Sequence, residues 1–93
     1  MELKLGDKTY VAGAVKARAF RKAIEITEQI DFNKLKTKDL DTLIDFLVVV
    51  YEHQFTRDEL YDGLPADKLM SVLSESISGI VGGVTEKLES KNE

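Results

Sequence analysis

Three observations in this sequence predict a mainly α-helical fold, in which an N-terminal β-hairpin packs on a small bundle of three main helices plus one short helix. The hydrophobic period changes from two to three and four near residue 14. Six apolar residues, Phe46-Leu47-Val48-Val49-Val50-Tyr51, follow one another without a break, and start and stop signals recur at Thr37, Thr56 and Gly63. At about 100° per helical residue a run of six goes right round the helix and leaves no face for water. In a chain of 93 residues such a segment is either the central helix of the fold or a surface waiting for a partner, which points to binding before chemistry.

Residues 2–12 read as the hairpin. Leu3 and Leu5, then Thr9 and Val11, alternate on either side of Gly6-Asp7, a two-residue turn signal of the Gly-first type. A lone hairpin is marginal in water, so it must lie on the helices. Over residues 14–30, Phe20, Ala23, Ile24, Thr27 and Ile30 mark one helical stripe, and Asp31-Phe32-Asn33 closes it. The next helix, 38–53, has Thr37 as N-cap and Asp39 in its first turn. Leu40, Leu43, Ile44, Leu47, Val48 and Tyr51 give its stripe, which Phe46, Val49 and Val50 widen.

Thr56-Arg57-Asp58-Glu59 is a capping box that opens a short helix, 57–62, and Gly63 stops it. Phe55 before the cap is placed to staple onto Leu60. Pro65, at a first helical position where its missing N–H loses nothing, opens the last helix, 65–84. Leu69, Leu73, Ile77, Ile80, Val84 and Leu88 mark its buried face. That helix weakens along its length: Ser74, Ser76 and Ser78 are followed by Gly79, Gly82 and Gly83, and three glycines cost on the order of 3 kcal/mol relative to alanines. Close packing within the monomer, ordering on a partner and a kink or helix end all fit that stretch. The expected organisation is one globular domain over 1–84 with a polar, frayed tail over 85–93.

Composition narrows the function. No run approaches 18 apolar residues and residues 1–6 lack the apolar stretch of a signal peptide, so a cytoplasmic protein without a membrane segment is expected. Cys is absent, which removes disulfides and thiolate chemistry. The net charge of −4 is unevenly spread: residues 1–22 hold six basic groups against two acidic ones, and the remainder seven against fifteen. Such an acidic body argues against wrapping along nucleic acid. Lys16, Arg18, Arg21 and Lys22 occupy the first half of their helix, against the preference of its macrodipole. Either they pair with acidic groups of neighbouring helices, or they form a basic docking face for an acidic partner.

His53 is the only histidine, and it is expected to help cap a helix C-terminus. Asp41 and Asp45, and likewise Asp58, Glu59 and Asp62, read as solvated acidic faces, because no calcium-loop pattern surrounds them. There is no phosphate loop, no nucleophile elbow and no dinucleotide fingerprint. No catalytic residue, cofactor or metal is therefore expected, and the chain reads as a non-enzyme.

Several stretches together resemble a known family: Lys4-Leu5 with Lys8-Thr9-Tyr10, Lys16-Ala17-Arg18-Ala19-Phe20-Arg21-Lys22-Ala23 with Glu25-Ile26-Thr27-Glu28, Asp39-Leu40-Asp41 through Asp45-Phe46, and Gln54-Phe55-Thr56 through Tyr61-Asp62-Gly63-Leu64. Over roughly residues 3–84 they look like the tail assembly chaperones of long-tailed, non-contractile bacteriophages and prophages of Gram-positive hosts. The resemblance implies a protein of the host bacterial cytoplasm that binds the tape measure protein, keeps its apolar helices from aggregating and recruits tail tube subunits. It also implies a longer form made by ribosomal frameshifting, with this chain the short form.

A chaperone for helical clients needs apolar surface to lend. Phe46, Val49, Val50 and Tyr51 in the continuous run, and Met70, Ile77, Ile80, Val81 and Val84 on the last helix, are the candidate partner-binding residues. A homo-oligomer is also possible. The alternative reading is a small protein–protein interaction or regulatory module, antitoxin-like or nucleic-acid-binding.

Overall fold

Two short strands open the chain, β1 (Glu2–Leu5) and β2 (Lys8–Val11), paired antiparallel with Leu3 opposite Tyr10 and Leu5 opposite Lys8. Four helices follow: α1 (Ala17–Gln29), α2 (Thr37–Val50), α3 (Arg57–Gly63) and α4 (Ala66–Asn92). The computed structural model describes the backbone of residues 1–92 and the side chains of residues 1–82. The polar tail expected over 85–93 and the side chain of Val84 fall outside those described side chains.

The hairpin turns at Gly6-Asp7, where Gly6 takes φ +62°, a left-handed value that glycine adopts without penalty. Leu3 and Leu5 point into the core while Glu2 and Lys4 point out. On β2 the inward residue is Tyr10, because the register sets it across from Leu3; Thr9 and Val11 face outward. Phe55 provides the hairpin's floor, meeting Tyr10 edge-on at 5.0 Å between ring centres and Tyr51 at 5.5 Å. Gln54 Nε2 adds a hydrogen bond of 2.9 Å to the carbonyl of Val11.

Helix α1 begins at Ala17, three residues later than the stripe predicts. Residues 12–16 serve as the link from the hairpin, and Lys16 caps α1 with extended backbone and no side-chain bond. Its buried face is also rotated: Ala19, Ala23 and Ile26 are buried, Phe20 and Ile30 flank them, and Thr27 is exposed with its hydroxyl donating to the Ile24 carbonyl at 2.8 Å. Two alanines in the contact let α1 lie close to α2 and α4, which it touches.

Helix α2 is the centre of the fold. Leu43, Ile44, Phe46, Leu47, Val48 and Val50 are all buried, because α1, α3 and α4 pack around this one helix. Its N-cap is Lys36 and not Thr37; the Asp39 carboxylate accepts from the Lys36 N–H at 3.0 Å. The helix stops at Val50, short of the expected His53. There the Glu52 N–H reaches the Val49 carbonyl at 3.0 Å and the His53 N–H reaches that of Val48 at 2.9 Å, the paired bonds of a Schellman cap. His53 thus helps close the helix through its backbone N–H, in a turn beyond the last helical residue.

That cap normally carries glycine, yet Glu52 and His53 take φ 52° and 60°. A left-handed non-glycine residue costs roughly 1–2 kcal/mol. Glu52→Gly is therefore expected to raise the unfolding free energy by about 0.5–1 kcal/mol in urea titrations, since the exposed Lys16–Glu52 pair at 3.7 Å contributes little. A lowered midpoint would show that the glutamate side chain holds the turn.

Both bonds of the α3 capping box are present, Glu59 N–H to Thr56 Oγ1 at 3.1 Å and Thr56 N–H to Glu59 Oε1 at 3.0 Å. Phe55 and Leu60 are both buried beside it. Helix α4 follows Pro65 and buries Leu73, Ser76 and Ile80, with Leu69, Val72, Ile77 and Val81 half-buried against the same core. An added methyl at Gly79 or Gly82 would meet nothing within 4 Å, so close packing among the described residues does not require either glycine.

Candidate functional site

The core takes much of the surface that the sequence marked for a partner. Phe46, Val50, Tyr51 and Ile80 are 0%, 5%, 1% and 2% exposed, because α1, α3 and α4 cover α2 on several sides at once. Val49 and Val81 are half-buried against the same core. Met70 and Ile77 remain at the surface, and they share a groove of about 380 Å³ with Thr27, Phe32, Ser74 and Ser78.

This groove is built from three places in the sequence. The end of α1 supplies Thr27, the α1–α2 loop supplies Phe32, and one side of α4 supplies Met70, Ser74, Ile77 and Ser78 at helical spacing. Phe32 and Met70 are among the few large apolar side chains left well exposed, at 40% and 39%. The serines matter here as short side chains: they keep the α4 wall low, so that apolar atoms on an occupant can reach Ile77. In the sequence Phe32 belongs to the Asp31-Phe32-Asn33 loop that closes α1; its signal is a bulky aromatic in a polar segment with no stripe to join.

Of the four basic residues singled out at the start of α1, Arg18, Arg21 and Lys22 stand at i, i+3 and i+4 on one helix face, and two of the four are ion-paired. Lys16 pairs with Glu52 at 3.7 Å and Arg21 with Glu25 at 3.4 Å one turn on, both exposed and worth about 0.5 kcal/mol or less. Arg18 is exposed and Lys22 half-buried.

Asp41 and Asp45 of α2, which the sequence marks as a solvated acidic face, are half-exposed and also engaged across to α3. Asp45 takes a two-pronged contact from Arg57, with Nε to Oδ1 at 2.9 Å, and Asp41 accepts from the Tyr61 hydroxyl. Desolvation first, and then the hydrogen bond to Asp41, pushes the Tyr61 phenol up to about 12 from its ordinary 10. The raised value means the neutral phenol is favoured in the fold. Its stabilisation is whole below pH 10 and is lost as pH rises from 10 toward about 12. Tyr61→Phe is expected to remove one tyrosinate equivalent from the late part of an ultraviolet titration, to which Tyr51, also raised by burial, contributes; loss of that equivalent from the ordinary range near 10 would show that Tyr61 ionises normally.

Chemically, the groove offers apolar contact and a few hydroxyls. Among the described residues no cluster of three or more His, Asp or Glu is placed to hold a metal ion. No helix among them is long and apolar enough to cross a membrane. Compared with known protein families, the whole chain, residues 1–93, matches the family described as phage tail chaperone protein. The chain belongs to that family. No curated protein and no solved structure matches it. In this tail chaperone the Phe32–Met70–Ile77 groove is an apolar concavity left open by the core, larger than the apolar hollow of about 190 Å³ that Leu40, Ile44, Leu64 and Leu69 line where α2, α3 and α4 meet.

Proposed function

We propose that this tail chaperone seats apolar helical segments of the tape measure protein in the Phe32–Met70–Ile77 groove, keeps them from aggregating, and recruits tail tube subunits to the loaded complex. The reading includes a long-tailed, non-contractile phage of a Gram-positive host and action in the host cytoplasm, without catalysis. The groove carries it: large apolar side chains with short hydroxylated neighbours form a trough on a helical wall, which suits a helix laid lengthwise. The family supports the tail-assembly setting.

The test is co-expression with the tape measure protein of the same phage. With the chaperone present, the tape measure protein is expected to stay in the supernatant and to co-purify with it. A tape measure protein that precipitates equally with and without the chaperone, or purifies free of it, would end the proposal.

A further inference from the structure

Two hollows lie side by side at the α1–α2 loop: Asp31 lines one, and the next residue, Phe32, lines the apolar groove. The first, of about 470 Å³, is also lined by Lys34, Lys36 and Lys38. Its two aspartates are turned to the backbone: Asp31 Oδ1 accepts from the Asn33 N–H at 2.9 Å and Asp39 Oδ2 from the Lys36 N–H at 3.0 Å. Among the described residues, none of the three lysines is in an ion pair. All three are exposed, so the hollow beside the groove carries three lysines against two aspartates, an excess of positive charge in a chain of net charge −4.

We infer that groove and lysine hollow form one composite site whose occupant is an amphipathic helix, with apolar side chains on Phe32, Met70 and Ile77 and carboxylates at the end that lies over Lys34, Lys36 and Lys38. This assignment rests on the groove being the client site, and it adds which client segments enter and which way round. The division of labour is physical. Burial of apolar area supplies most of the affinity and has no preferred direction. The lysines supply direction, because a reversed helix carries its carboxylates away from them, and they speed encounter in a salt-dependent way.

The probes are two synthetic helical peptides with the same leucine stripe, one ending in a cluster of glutamates and the other with lysines at those positions. Fluorescence anisotropy is expected to show the glutamate peptide binding about tenfold tighter at low salt, with the gap closing at high salt. The Lys34→Gln, Lys36→Gln, Lys38→Gln triple variant, checked for fold by circular dichroism, is expected to lose that preference while still binding both peptides.

Equal binding of the two peptides by the parent, binding of neither, or a triple variant that keeps the preference overturns the inference. Tighter capture of a single-stranded RNA oligonucleotide than of the glutamate peptide also overturns it, by making the hollow a polyanion site. Met70→Asp separates the two levels. If it loses both peptides while the parent fails to discriminate between them, the groove reading survives and the charge assignment falls; if it binds both as the parent does, the groove reading itself falls.

Discussion

Phe46→Ala is expected to lower the unfolding free energy by about 3–5 kcal/mol, the usual range for emptying a buried aromatic site. Domains of this size are stable by only about 5–15 kcal/mol, so the variant should unfold at modest urea or temperature. Phe46 is 0% exposed on the helix around which the others pack. Any loss of client binding should then track the loss of fold seen by circular dichroism. Ile80→Asp is expected to behave likewise, since it would place a carboxylate where the side chain is 2% exposed. A Phe46→Ala protein that loses less than about 1 kcal/mol would show that Phe46 lies outside the core and restore the Phe46–Tyr51 run as lendable surface.

Met70→Asp is expected to do the opposite, leaving the fold and removing the client. Met70 is 39% exposed on α4, and an aspartate in its place costs the helix well under about 1 kcal/mol in propensity. In a complex the same change forfeits burial of the 39% that is still exposed, about 0.6–1.2 kcal/mol. It also leaves a desolvated carboxylate without a partner, at about 1–3 kcal/mol or more. Together these correspond to a weakening of roughly tenfold to a thousandfold, visible as loss of the tape measure protein from a pull-down while the melting curve barely moves. Met70→Leu, which keeps size and apolarity, is expected to bind as the parent does. A folded Met70→Asp protein that still retains the client at parental yield would place the binding surface elsewhere.

The elements legible in the sequence are those specified by local chemistry. The Thr56–Glu59 box needs only four consecutive residues, and both of its hydrogen bonds form. Gly6 announces a turn that only a left-handed residue makes easily, and Phe46 through Tyr51 announce a helix with company on several sides. The end of α2 was illegible for a matching reason: its Schellman cap uses Glu52 and His53, held at positive φ against their intrinsic preference by the turn's hydrogen bonds. The face of α1 was misplaced because Ala19 carries little hydrophobic signal yet is buried against the core.

Of the site, Met70 and Ile77 were readable from their helical spacing, whereas Phe32 joins them only through tertiary folding. The Arg57–Asp45 and Tyr61–Asp41 contacts were invisible for the same reason, since each spans 12 or 20 residues and depends on how α3 docks against α2.

The attachment of the hairpin to Gln54 and Phe55 orders events on the ribosome. Residues 2–11 leave synthesis long before their floor exists, as the bond from Gln54 to Val11 spans 43 positions. At about 5–20 residues per second the nascent strands wait roughly 2–9 s, as a hairpin too small to persist alone, before the rings of Tyr51 and Phe55 arrive. Maturation of the amino-terminal end is thus timed by translation of the middle of the message, and a chain released before Phe55 would leave its first strands without a seat.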